Sequence, residues 1–99
     1  MYAVIFKAKM NTLDDRYFKM ASQLRDLAIE NYGCTEFTSV AEGSEEITIS
    51  YWKDLKQIES WKNDAQHKVA QTIGQAEWYQ SYTVQVVEIL REYGSEASS

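Results

Sequence analysis

In this chain of 99 residues, two side chains stand out for proton transfer or nucleophilic attack near neutral pH: the single histidine, His67, and the single cysteine, Cys34. Cys34 opens a β-prone run with no basic residue beside it, so it reads as a small buried hydrophobe rather than a nucleophile. His67 follows Trp61 by six residues and shares a helical face with Ala70 and Ile73. A histidine so placed either fills a gap on a helix face or manages a proton in a pocket. The acidic pairs Asp14-Asp15 and Glu45-Glu46 offer less. Neighbours on a strand point to opposite faces and neighbours on a helix diverge by about 100°, so both pairs read as solvated charges. The chain has no Gly-rich phosphate loop, no CxxC, no HExxH and no nucleophile elbow. With one His and one Cys, a zinc site would need mostly carboxylates, which is uncommon, so no metal is expected.

Aromatic residues carry more information as a group. Six of the 13, Tyr51, Trp52, Trp61, Trp78, Tyr79 and Tyr82, fall within residues 51–82. Many must serve the core and an interface, yet three tryptophans are more than so small a core needs. A ring with a polar tip suits the wall of an apolar cavity with few polar handles.

Composition narrows the function classes. Ten basic against 15 acidic residues leave a net charge of −5, which weighs against a partner rich in phosphate. No stretch approaches the ~20 apolar residues of a membrane span, no basic leader precedes the first apolar run, and a lone cysteine cannot form an internal disulfide. A cytoplasmic protein is expected. A chain this short makes one domain, placed at 1–93 with a polar tail at 94–99. It buries only ~60–65% of its unfolded surface, so a partner subunit would help.

The elements that must position these residues follow from periodicity. Tyr2, Val4, Phe6, Ala8 and Met10 alternate with Ala3, Ile5, Lys7 and Lys9, which predicts a strand. Tyr17, Met20, Ala21, Leu24, Leu27 and Ala28 form one helical stripe over about 13–31, capped by Thr12 or Asp14 and stopped at Gly33. Two strands at 34–41 and 46–52 flank a turn at Gly43. Asp54 and Gln57 form a capping-box pattern for a short helix bearing Leu55, Ile58 and Trp61, and Asp64 can cap another bearing His67. Tyr82 to Leu90 reads as a last strand. The order β-α-β-β-α(α)-β predicts a ferredoxin-like α+β sandwich with helices on one face. The other face, assigned Ala3, Ile5, Val40, Trp52, Val87 and Ile89, is too apolar for solvent, which predicts a homodimer packed sheet to sheet.

With those residues placed, the run ITISYW, the helix ending in Trp61, then His67-x-x-Ala70-x-x-x-Gly74 and Trp78-Tyr79-x-x-Tyr82 resembles the antibiotic biosynthesis monooxygenase superfamily. The resemblance spans about residues 2–93 and is most specific in the second half. It implies a dimeric α+β barrel with a pocket between helices and sheet in each subunit. It further implies cofactor-independent oxidation of quinols or polyketide-like phenols, the deprotonated substrate passing an electron to dioxygen. On this view His67 and Trp61 are catalytic, His67 as proton acceptor or orienter, while Tyr51, Trp52, Trp78 and Tyr82 line the pocket and no cofactor is carried. The alternative is a dimeric binding protein without turnover, holding a lipid-like or aromatic metabolite. A third reading, haem degradation, is poorly matched. The branch that does it uses a first-strand asparagine and a histidine about three turns beyond the tryptophan, where this chain has Lys7 and Gln71.

Overall fold

Alternation over Tyr2–Met10 does produce a strand, β1, and this strand runs through the interior of the sheet. The computed structural model describes residues 1–95, the side chain of residue 66 excepted. After β1 come α1 (Asp15–Asn31), β2 (Glu36–Glu42), β3 (Glu45–Trp52), α2 (Leu55–Lys62), α3 (Ala65–Ile73), a π-helical turn (Gly74–Trp78) and β4 (Tyr79–Glu88). The four strands lie in the order β2-β3-β1-β4, every neighbouring pair antiparallel, as in the ferredoxin-like sandwich. Of the tail assigned to 94–99, residues 96–99 lie outside the described residues. No helix among the described residues is long and apolar enough to cross a membrane.

Local chemistry sets the element ends. Asp14 rather than Thr12 caps α1, its carboxylate accepting from the Tyr17 N–H at 3.0 Å, so the helix begins at Asp15 instead of 13. At the other end the Tyr32 and Cys34 N–H groups both return to the Ala28 carbonyl, and Gly33 makes the reversal at φ 83°. Asp54 caps α2 through the Gln57 N–H at 2.9 Å, and the Gln57 side chain accepts from the Lys53 N–H at 3.2 Å. Gly43 turns the β2–β3 hairpin at φ 61°. The last strand starts three residues before the expected Tyr82. The π-helical turn feeds the chain directly into β4, and the Trp78 carbonyl accepts from the Asn11 N–H at 2.8 Å.

Strand register decides which side chains meet the helices. Tyr2 stands opposite Trp52, Val4 opposite Ser50, Phe6 opposite Thr48 and Ala8 opposite Glu46. All of these therefore share the face that the helices cover. Trp52 does not belong to the uncovered face, where the sequence pattern had placed it; it is 0% exposed and packs with Val4, Ala28, Cys34, Ile58 and Trp61. A second cluster joins Ala8, Met10, Tyr17 and Trp78, with Phe6 and Tyr79 against it. The uncovered face instead carries Ile5, Ile47, Ile49 and Tyr51 between Val40 and Val87. Ala3 is hidden there between its cross-strand neighbours Tyr51 and Val87. Ile89 follows the end of β4 and bonds to the Met1 carbonyl.

Gly74 is the tightest point of this framework, since a Cβ there would overlap the ring of Tyr79. Helix propensity alone makes Gly→Ala favourable by about 1 kcal/mol, whereas the packing clash reverses the sign. Gly74→Ala is expected to lower stability by about 1–3 kcal/mol in chemical denaturation, while Gly94→Ala, which meets open space, leaves it unchanged.

Candidate functional site

Helices α2 and α3 carry Trp61 and His67 on either side of the joint between them. The ring of Trp61 lies 5.2 Å from that of Trp52 and 6.1 Å from that of Phe37, and the His67 imidazole meets it edge-on at 4.2 Å. The polar tips of Trp52 and Trp61 are used internally, whereas the buried Nε1 of Trp78 has no hydrogen-bond partner among the described residues. Trp52 Nε1 donates to Ser50 Oγ at 2.9 Å, and Trp61 Nε1 donates to the Leu24 carbonyl at 3.3 Å, tying α2 to α1. These bonds fix the two rings within the core, where Trp52 is fully buried and Trp61 nearly so.

His67 Nδ1 is different. It is buried and has no hydrogen-bond partner among the described residues, an arrangement that costs about 1–3 kcal/mol unless something fills it. Burial pushes the pKa of this imidazole down to about 4; Asp64 pulls upward and Lys62 adds to the downward shift. His67 is therefore neutral at pH 7 and can accept a hydrogen bond from a hydroxyl placed against Trp61. Asp64 is held by the Tyr32 hydroxyl at 2.6 Å, which fixes a negative charge near the imidazole. Cys34 is buried, its Sγ donates to the Glu36 carbonyl at 3.1 Å, and burial raises its pKa, so it is a poor nucleophile.

The structure thus brings together Trp52, Trp61 and His67 of the six residues singled out. Trp78 sits in the second cluster, and Tyr82 lies exposed beside it. Trp78 packs edge-on against Tyr17 at 5.1 Å with the Arg16 guanidinium 5.6 Å above its ring. Tyr82 stacks on Phe6 at 6.1 Å and takes a bond from Gln75 at 2.8 Å. Tyr51 is on the opposite face of the sheet, so it cannot line a pocket between sheet and helices. Phe37, Tyr32 and Asp64 belong to the site by geometry, and only a fold-level placement of β2 and the α1 terminus would have found them.

Glu46 also departs from the pattern of a solvated charge. It lies on the helix-facing side of β3, where the Tyr17 hydroxyl donates to it and Ser39 Oγ donates at 3.2 Å. Burial and this carboxylate push the Tyr17 phenol up, and Tyr79 is pushed up to about 12 by burial and by Glu46. Period-two counting back from Trp52 was the available signal. Among the described residues no group of three or more His, Cys, Asp or Glu side chains is arranged to hold a metal ion.

No protein-family model matches the chain. It is similar to YqjZ of Bacillus subtilis, an uncharacterized protein, with 34% identity over 92 residues that span 92% of this chain and 81% of YqjZ. Among solved structures it resembles an antibiotic biosynthesis monooxygenase with a TM-score of 0.77, at 14% identity over 92% of this chain and all of that one. It also resembles SnoaB, a cofactor-independent oxygenase from Streptomyces nogalater, with a TM-score of 0.78 at 8% identity, over 95% of this chain and 97% of SnoaB. At those identities the structures establish the architecture, while YqjZ establishes kinship in sequence. The chain belongs to the family of YqjZ and carries the fold of the antibiotic biosynthesis monooxygenase superfamily.

Proposed function

We propose that this protein is a cofactor-independent monooxygenase for a small hydrophobic aromatic molecule, a quinol or polyketide-like phenol, held against Trp61 and His67. The observation that carries this reading is the buried, unpartnered Nδ1 of His67 in edge contact with Trp61. A phenolic hydroxyl would supply the missing donor, and the tryptophan would hold the ring. The net reaction is phenol plus dioxygen to quinone plus water. One oxygen atom becomes the second carbonyl, the other leaves as water with the ring hydrogen and the phenolic proton, and the four electrons come from the substrate. The protein's part is orientation, exclusion of water and placement of the proton. SnoaB, on the same fold, is a cofactor-independent oxygenase.

The working form in this proposal is a cytoplasmic homodimer. Ile5, Ile49, Tyr51 and Val87 share the uncovered sheet face with Val40, which is 60% exposed, and a second copy stacked sheet to sheet would cover them.

Four measurements test this reading. Oxygen uptake with a panel of quinols and polyphenols should fall about 10–100-fold in His67→Ala with the thermal transition kept, whereas an unchanged rate removes His67 from the mechanism. Absence of uptake together with an elongated aliphatic molecule in native mass spectra would favour binding without turnover. Because the unfolded imidazole titrates near 6.5 and the folded one near 4, neutral His67 contributes stability that is whole above pH 6.5. That contribution is lost as pH falls toward 4. Denaturation at pH 7 and pH 4 should show a drop that His67→Gln reduces by about 1–3 kcal/mol. Sedimentation at micromolar concentration should give a dimer that Ile49→Lys converts to monomer; a stable wild-type monomer defeats the sheet-to-sheet arrangement.

A further inference from the structure

At the opposite end of β3 from Trp52 lies a cleft of about 730 Å³, between the β1–α1 loop, the first turns of α1 and the β2–β3 hairpin. Glu46 and Trp52 are six residues apart, roughly 20 Å along a strand, so this cleft is separate from the His67 site. Its volume falls within the range of small-molecule pockets. Leu13, Tyr17, Phe18 and Ala41 supply an apolar wall, and Phe18 is 59% exposed, unusually open for a phenylalanine beside a cavity.

The polar chemistry of the cleft has one sign. No lysine or arginine lines it. Arg16, on the same turn of α1, is bound to Glu77 at 2.6 Å and lies over Trp78. Of the two carboxylates in the lining, Glu45 stands opposite Lys9 across the strand pair, which offsets its charge. Glu46 has only neutral donors, Tyr17 and Ser39, and its residual charge faces a space with aromatic edges. At the start of α1 the Asp14 carboxylate accepts from the Tyr17 N–H and places a further negative charge where an anion would otherwise be drawn. An anion is therefore disfavoured on electrostatic grounds, and a group that donates hydrogen bonds and carries positive charge is favoured.

We propose that this cleft is a second binding site, selective for a small organic cation: an ammonium on an apolar stem, with the ammonium on Glu46 and the stem on Phe18 and Leu13. The Tyr17 hydroxyl, already donating to Glu46, holds the carboxylate in place and keeps a lone pair for a second bond to the ammonium. No covalent step is involved. The site does not depend on the oxygenase reading, since its lining includes neither Trp52, Trp61 nor His67.

Benzylammonium chloride is the probe, with benzyl alcohol as its uncharged counterpart and benzoate as the anion, each titrated into the full chain and followed by amide chemical shifts. Benzylammonium should give saturable shifts at Leu13–Phe18 and Ser44–Glu46, bind at least fivefold more tightly than benzyl alcohol, and leave benzoate without a saturable effect. Glu46→Gln should abolish the preference for the cation over the alcohol. Phe18→Ala, at an exposed position that the fold tolerates, should weaken both. Equal binding of cation and alcohol overturns the proposal. So do an unchanged preference in Glu46→Gln, saturable shifts confined to Trp61–His67, or no saturable shift at millimolar probe.

Discussion

Pairing of β1 with β3 is the constraint from which the rest of this molecule follows. With Tyr2 opposite Trp52 and Val4 opposite Ser50, every even-numbered residue of both strands faces the helices. Sliding one strand by a single residue would send Trp52 to the outer face and bring Tyr51 inward, exchanging an indole that fills the core for a phenol that does not. Full burial of a tryptophan removes some 200 Å² or more of surface from water, a contribution of several kcal/mol in a domain whose total stability is of the order of 5–15 kcal/mol. The alternative register is correspondingly unfavourable. Trp61 then has a partner ring at 5.2 Å, and α2 is drawn down to the position from which α3 carries His67 over that ring.

The same register creates two aromatic assemblies of different polarity under one layer of helices. Around Trp52 and Trp61 the indole nitrogens are satisfied, and the polar atom left over is a neutral imidazole nitrogen. Around Tyr17 and Trp78 the polar groups of consequence are the Glu46 carboxylate, on the inner face of a strand, and the buried Trp78 Nε1, which has no partner among the described residues. A carboxylate at that place is tolerated because two hydroxyls donate to it and one side of it opens on a cleft. The π-helical turn contributes by setting Trp78 and Tyr79 at the start of β4, where a regular helix end would have carried the rings elsewhere.

Much of this was legible in the residues. Element order, the Asp54 cap, the Gly33 and Gly43 reversals and the approach of His67 to Trp61 all rest on local spacing, which the chain states directly. Which face of β3 would be covered was not legible. Ile47, Ile49 and Tyr51 make as good an apolar row as Thr48, Ser50 and Trp52 make a poor one, yet the helices cover the second. The reason is tertiary: Trp52 alone fills the space that the whole outer row would have filled, and Ser50 is admitted because it accepts from the Trp52 indole. Pairing the outer row with solvent is the cost, and it is what makes that face an interface candidate. Tyr51 follows the outer row for the same reason, and adjacency of Glu45 and Glu46 shows only that they point to opposite faces, not that the inner one meets the Tyr17 hydroxyl.

Neutral His67 also limits what substrate the proposed reaction could use. An ordinary phenol ionises near 10, and an imidazole held near 4 is about six units too weak to keep its proton, a gap of roughly 8 kcal/mol. A phenolate formed beside it would raise the imidazole pKa by direct attraction, and Asp64 already acts in that direction, but closing the whole gap would take an ion pair in a water-poor site. Substrates whose hydroxyl is acidified by a conjugated carbonyl need far less help. With such a molecule the proposed role of the imidazole would be to orient the hydroxyl and to receive a proton that is already loosely held. Within the proposed reaction, a weakly basic His67 would favour the more acidic of the polyketide-like phenols over a simple phenol.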